Sequence, residues 1–141
     1  MAELTFDLQN TWPKLAWVAV LSTVFKKTKI LHGPMVEIRE DWAVEAVWAG
    51  SFKKGDFDRT DLIFGTGIRQ RDSKLIFVSS ATGIDRLWHV QYGDNVYVSN
   101  SLPGILSVSK LSLLDSYQKS LLLLDHIHLT LYLMEHHHTG H

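Results

Sequence analysis

The chain has 141 residues, of which 45% are hydrophobic and 21% charged, so one globular domain with its own core is expected rather than a disordered segment. Its formal net charge is −1, which gives no long-range field to attract nucleic acid or an anionic membrane surface. The absence of cysteine excludes disulfides, thiolate zinc sites and a cysteine nucleophile, and it fits a cytoplasmic location. No apolar stretch reaches the length of a membrane span, and no basic segment of a signal peptide precedes the apolar run at 15–25.

The first strands are indicated by alternation and by short apolar runs. Leu4, Phe6 and Leu8 alternate with polar residues, which predicts a half-buried strand. The apolar run 15–21 predicts a buried strand. The polar triplet 27–29 is interpreted as a hairpin turn, after which the next strand begins at Ile30.

Two tryptophans dominate the next strand. Trp42, Val44, Ala46 and Trp48 fall on one face at strand spacing, and Glu45 falls on the other. An apolar face of this size indicates core rather than a ligand platform. Residues 50–61 have the composition of a loop.

Residues 62–98 predict an antiparallel meander of four strands joined by short turns. Gly65 and Gly67 lie inside the first of these strands and indicate a bulge or a close backbone approach. Gly93-Asp94 has glycine first, which is typical of a type II′ hairpin turn. The predicted fold class is α+β, with stacked antiparallel β-sheets and few short helices; an all-β sandwich is the alternative.

The last strand of the meander runs into a small polar segment and a proline. Ser101 can cap a helix that has Pro103 in its first turn. Because proline restricts the residue before it, Leu102 is the alternative cap. Leu102, Ile105 and Leu106 would share the apolar face of this helix, and its first N–H groups leave anion binding open.

The chain changes in character near residue 120. No Lys or Arg follows Lys119, and six of the eight histidines lie between 126 and 141. We therefore assign residues 1–120 to the domain and residues 121–141 to a Leu- and His-rich tail. Residues 126–134 alternate like a strand, so the tail is either an added strand or a truncated or non-native chain end.

The sequence contains no complete motif for binding a metal or a cofactor. The tail histidines can bind Ni, Cu or Zn, but adjacent histidines at a terminus lack fixed geometry. The carboxylates of 55–61 fail the EF-hand pattern and suit a turn. No metal site and no cofactor are predicted.

The sequence also lacks the common motifs of hydrolases. There is no G-x-S-x-G elbow and no phosphate-binding Walker loop. A serine triad would need His32 or His89 as its base.

Two turns are the candidate ligand sites, at 79–86 and at 99–103. Small polar loops offer backbone N–H groups to anions, although a tight connection with a glycine turn is the simpler explanation. The candidate ligand-binding residues are Ser80, Thr82, Gly83, Arg86, Asn100 and Ser101.

Residues 75–106 follow a recognisable order of a buried strand, a loop with a glycine, an aromatic strand, a hairpin, and a strand before a short apolar helix. This order resembles the late part of the N-terminal glutaminase-like (Ntn-type) domain of asparagine synthetase-type proteins. There, a strand leads to Asp-x-x-Gly-x-Arg-Pro-Leu-Tyr-Tyr, and a hairpin strand ends near Ser-Glu-Leu-Lys-Ala-Leu-Leu. Gly83 matches the glycine of this pattern and Leu87 its leucine, while Trp88 and His89 stand at the paired tyrosines. The apolar positions of the helix are matched by Leu102, Ile105 and Leu106.

The departures from the family pattern bear on activity. Ser80 stands at the aspartate, Asp85 at the arginine and Arg86 at the proline, and Asn100-Ser101 replaces Ser-Glu. The family's glutaminase uses an N-terminal cysteine exposed by removal of the initiator Met, whereas residue 2 here is Ala and the chain has no cysteine. The family's Ser-Gly-Gly-x-Asp-Ser motif for ATP also does not occur.

The resemblance implies a non-catalytic, glutaminase-like scaffold that docks against an ATP-dependent, amide-forming synthetase-like domain absent from this chain, which would then be a fragment of a longer protein. One alternative is a stand-alone module that binds a small molecule or a protein at the two turns. A hydrolase that uses His89 and a nearby carboxylate is the other. Neither nucleic acid nor membrane is an expected partner, and the oligomeric state stays open.

Overall fold

The computed structural model describes residues 3–25, 27–72, 74–80, 86–110, 122–125 and 128–132. Two β-sheets pack face to face, and one short α-helix covers the outside of the first sheet. In chain order the elements are β1 (Glu3–Leu8), β2 (Trp17–Ser22), β3 (Lys27–His32), β4 (Glu37–Arg39), β5 (Trp42–Trp48), β6 (Ile63–Arg71), β7 (Lys74–Ser79), β8 (Arg86–Tyr92), β9 (Asn95–Ser99), α1 (Leu102–Ser109), β10 (Leu122–Asp125) and β11 (His128–Tyr132). The predicted stacked, antiparallel-rich sheets are therefore present.

The two sheets differ in their strand order. The first sheet has the order β1-β3-β2-β9-β8-β10, and the second has the order β11-β7-β6-β5-β4. Neighbouring strands run antiparallel except β1 and β3, which pair in parallel. The 62–98 meander is thus divided, because β6 and β7 belong to the second sheet whereas β8 and β9 belong to the first.

The main core lies between the sheets and is built from the inward side chains of both. Trp17 on β2 is fully buried and stacks on Phe77 of β7, with ring centroids 6.2 Å apart. Ala19, Leu87 and other inward residues of the first sheet pack against the second in the same cluster. Alternation along each strand produces this core, since every second side chain faces the opposite sheet.

A second core lies on the outer face of the second sheet. Trp42 and Val44 are buried there under Phe57, which confirms that the tryptophan face is core. Phe57 belongs to residues 51–60, here called the covering loop, which contains the 3₁₀ turns Phe52–Lys54 and Phe57–Arg59. A Cβ at Gly67 would lie 2.6 Å from the Phe57 ring, so this glycine permits the predicted close approach.

Arginine side chains from β6 hold the covering loop against the sheet. Arg71 donates to Asp58 Oδ2 at 2.7 Å and to Asp56 Oδ1 at 2.8 Å, and Arg69 donates to the Gly55 carbonyl at 3.0 Å. The hydrogen bond from Arg71 lowers the pKa of Asp56 below its ordinary value. These carboxylates therefore serve an ion-pair network, and no metal-ligating cluster occurs among the described residues.

Helix α1 begins where the sequence predicts it. The Ser101 hydroxyl accepts a hydrogen bond from the Gly104 N–H at 3.0 Å, so Ser101 rather than Leu102 is the N-cap. Leu102, Ile105 and Leu106 pack on Val90 of the first sheet, which confirms the apolar face of the helix.

One predicted turn is wrong and another is confirmed. Residues 27–29 are not a hairpin turn but the start of β3, and the turn lies at 23–25 instead. Lys27 and Lys29 are exposed while Thr28 is buried. The triplet is therefore polar because two exposed lysines flank a threonine on an ordinary alternating strand. At 93–94 only Gly93 has positive φ (62°), as a type II′ turn requires.

The tail contributes an edge strand to each sheet. β10 pairs with β8, and β11 pairs with β7, both antiparallel. His126, His136, His137, His138 and His141, which carried the proposed metal affinity, lie outside the described residues.

We expect Phe57→Ala to lower the free energy of unfolding by about 3–5 kcal/mol, because Phe57 is fully buried and fills the space above Gly67. Urea denaturation followed by tryptophan fluorescence measures the change. Phe64→Ala is the control, since Phe64 is 57% exposed and its loss should cost no more than about 0.5 kcal/mol. Equal losses in the two variants would contradict a core role for the covering loop.

Candidate functional site

A row of polar side chains crosses the inner face of the second sheet. Glu45, Thr66 and Ser79 stand opposite one another on β5, β6 and β7. Thr66 is 1% exposed; its hydroxyl donates to Glu45 Oε2 and accepts from Trp17 Nε1 at 2.9 Å. The Ser79 hydroxyl is buried without a hydrogen-bond partner within the described part of the chain. The row places a carboxylate and two hydroxyls where the apolar core ends.

Asn100 connects this row to the first sheet. Its Oδ1 accepts from the Trp17 N–H at 2.8 Å, and its Nδ2 donates to the Leu15 carbonyl at 2.9 Å. The same Nδ2 lies 3.5 Å from Glu45 Oε2. Ser99 completes the junction by donating to the Trp17 carbonyl at 2.6 Å. The side chain of Asn100 therefore fixes the position of the 15–17 backbone relative to Glu45.

An open groove lies beside Glu45 at the end of the two sheets and has a volume of about 310 Å³. We call it the end groove. Its walls contain four large apolar side chains that are between 49% and 69% exposed: Leu15, Met35, Val47 and Phe64. Its other lining residues are Glu37, Val44, Glu45 and Ala46. A surface of this composition is typical of a binding site, because scattered rather than clustered apolar side chains are the norm elsewhere.

The Leu15–Met35 wall depends on a close backbone contact at Gly33. The Gly33 N–H donates to the Ala16 carbonyl at 2.8 Å, and the Met35 N–H donates to the Lys14 carbonyl at 2.9 Å. A Cβ at Gly33 would lie 2.1 Å from the Pro13 oxygen, so no larger residue fits this approach. The segment 32–34 thus brings Met35 beside Leu15.

The structure places the candidate ligand-binding residues in different surroundings. Asn100 reaches Glu45 at the floor of the end groove, whereas the Ser101 hydroxyl caps α1. Ser80 is fully buried, and Arg86 opens β8 opposite Asp125. Thr82 and Gly83 lie outside the described residues.

Sequence reasoning missed Glu45, Thr66 and Trp17 as site residues. Glu45 did carry one signal, as the charged residue on the strand face opposite the tryptophans. Nothing local could show that this face ends at a groove, because the groove walls come from residues 15, 35 and 64.

The polar row and His89 provide no accessible nucleophile with an oriented base. The Thr66 and Ser79 hydroxyls are buried. His89 Nδ1 has no hydrogen-bond partner within the described segments, whereas a triad needs a third group that orients the histidine. Burial lowers the pKa of His89, which favours the neutral ring.

Comparisons with models of protein families, with curated proteins and with solved structures give no match. The class is therefore defined by the geometry alone, as a two-sheet β domain with an apolar groove at one end of its sheets. Among the helices of the described ranges, none combines the length and apolar character that a bilayer crossing requires.

We expect Asn100→Asp to destabilise the fold by about 1–3 kcal/mol at neutral pH, because it removes the donor to the Leu15 carbonyl and brings a second carboxylate to Glu45. Chemical denaturation measures the loss. Adding Glu45→Gln should recover part of it, since the repulsion between carboxylates disappears. Strictly additive effects of the two substitutions would show that Asn100 and Glu45 do not interact.

His89 should make stability depend on pH. Its folded-state pKa lies below 6.5, so the unfolded chain takes up the proton first as the pH falls. The wild type should therefore lose stability between pH 6.5 and the lower folded-state pKa, and His89→Gln should lose less over the same interval. Urea midpoints at about pH 7.5 and about pH 5 measure both. Identical pH dependence in the two proteins would exclude this contribution.

Proposed function

We propose that this chain is a non-catalytic, glutaminase-like scaffold domain that uses its end groove to dock against an ATP-dependent, amide-forming domain. The observation that carries the proposal is the cluster of exposed apolar side chains around the groove. Leu15, Met35, Val47 and Phe64 all remain about half exposed or more, at one end of the sandwich. Covering them with a partner would remove a large apolar area from water.

The resemblance of 75–106 supports the nature of the partner. The chain follows the order of β7, β8, hairpin, β9 and α1 on which the resemblance rests. In the family, such a domain accompanies an amide-forming synthetase domain. Asn100, at one of the positions that depart from the family pattern, here joins the groove floor to β2.

The absence of catalysis is supported by the chemistry of the groove. The sequence lacks the cysteine nucleophile of the family, and the hydroxyls nearest Glu45 are buried. Thr66 already accepts from Trp17 and donates to Glu45, so its hydroxyl is committed to joining the sheets. We therefore assign the polar row a structural role.

The proposal is tested with a separately produced amide-forming domain of an asparagine synthetase-type protein. Isothermal titration should show binding to the wild type, and Val47→Asp should weaken it roughly tenfold or more, because the contact would bury an unpaired carboxylate. Val24→Asp is the matched control. Val24 is 54% exposed in the turn at the far end of β2, and its substitution should leave binding unchanged.

Two outcomes would contradict the proposal. Release of ammonia from glutamine by the purified chain would show that it is catalytic. Failure of the wild type to bind the domain would favour the alternative, a stand-alone binding module. In that case small ligands, rather than the domain, should raise the melting temperature.

A further inference from the structure

Strand β5 has an edge that its neighbours do not fully cover. β6 pairs with the whole of β5, from Trp42 to Trp48. On the other side, β4 pairs only with 42–44, and its last partner is Val44 opposite Glu37. Residues 45–48 therefore have no strand on this side within the described part of the chain.

The main-chain groups that face the open edge can be assigned from the register. The Ala49 N–H donates to the Leu62 carbonyl at 2.9 Å, on the side of β6. Because antiparallel pairing alternates along a strand, Glu45 and Val47 also direct their main-chain groups to β6. The N–H and C=O groups of Ala46 and Trp48 consequently point away from β6, toward the open edge.

The end groove runs along this edge. Its lining includes four consecutive residues, from Val44 to Val47. Successive side chains of a strand point to opposite faces of the sheet, so a cavity on one face could not touch all four. Leu15 and Met35 line the groove as well, so the edge is flanked by the exposed apolar side chains described above.

We propose that an extended segment of a partner polypeptide binds here as an added strand beside β5, in line with β4. An antiparallel segment would place one side chain opposite Val47 and the next but one opposite Glu45, both on the inner face. The space beside 45–48 admits about four residues, or roughly 13 Å of strand. Such binding combines main-chain hydrogen bonds with selection of alternate side chains.

Charge determines which segment fits. Among the described residues, the groove lining contains the carboxylates of Glu37 and Glu45 and no Lys or Arg. Glu37 is already paired with Arg39 at 3.4 Å, so the added segment is matched to the Glu45 carboxylate. An apolar residue opposite Val47 followed by a basic residue opposite Glu45 therefore complements the groove. A second copy of this chain would bring its own Glu45 carboxylate to the groove instead of a cation, and like charges across strands are destabilising. The occupant is thus a basic-apolar segment of another protein.

This inference rests on the proposed function only in using the same groove, and it specifies strand addition as the mode of binding. The probe is the peptide acetyl-Thr-Val-Thr-Lys-amide, titrated into the full chain and followed by amide chemical shifts. Saturable shifts at 45–48 are expected. The peptide with Glu in place of Lys should bind roughly tenfold more weakly or worse.

The substitution Ala46→Pro distinguishes binding through the main chain of the β5 edge from binding to the side chains of the end groove. It removes the N–H that faces the edge but no hydrogen bond to β6, and proline is tolerated on such edges. We expect it to weaken peptide binding roughly tenfold or more. Should it fail to fold, Val47→Lys places a charge on the same edge, with Val24→Lys as its matched control, and should abolish binding. Both valines are more than half exposed.

Several results would overturn strand addition. These are no binding of the peptide, equal binding by Ala46→Pro, or equal binding of the charge-reversed peptide. A wild-type dimer in sedimentation velocity that Ala46→Pro abolishes would show that a second copy is the occupant. Binding of the amide-forming domain that survives Ala46→Pro but not Val47→Asp would refute strand addition and leave the proposed function intact.

Discussion

The burial of Trp17 between the sheets is the contact on which the rest of the molecule depends. Its ring stacks on Phe77, and its Nε1–H donates to Thr66, so one side chain joins both sheets. A buried indole N–H needs an acceptor, and Thr66 therefore has to be polar inside an otherwise apolar face. Thr66 in turn holds Glu45, while Asn100 accepts from the Trp17 main chain. The spacing of the sheets and the floor of the end groove thus follow from one residue.

The end groove results from unequal strand lengths rather than from a dedicated pocket. β5 has seven residues and its edge neighbour β4 has three, so part of β5 extends beyond its cover. Val47 on this uncovered part and Phe64 opposite it on β6 stay exposed, although Ala43 and Ile68 on the same two strands are buried. A protein whose sheet edge is open and apolar risks aggregation unless the edge is covered or charged. Glu37 and Glu45 supply charge at this edge.

Much of the fold could be predicted because the signals are local. Alternation places most strands, and Ser101 with Pro103 marks the start of α1. The pattern at 27–29 predicts a turn where β3 in fact begins, because lysines on the exposed face of a strand resemble loop residues. The contacts between the two sheets could not be predicted. Trp17 and Thr66 are 49 positions apart, and neither segment contains a local signal that identifies the other as its partner. The polar turn in the sequence does predict Asn100 as a site residue. Its contacts with Leu15 and Glu45 depend on folding of the whole domain.

The pairing of β2 with β9 has a consequence for how the chain folds as it is synthesised. Trp17 and Asn100 are 83 positions apart, whereas β4 to β7 all lie within residues 37–79. The four strands β4 to β7 of the second sheet can therefore associate while the first sheet still lacks β9. Pairings between distant segments form slowly because a long loop must close first. The apolar strand β2 consequently stays unpaired on one side until β9 has left the ribosome, and it exposes an apolar edge in the nascent chain until then.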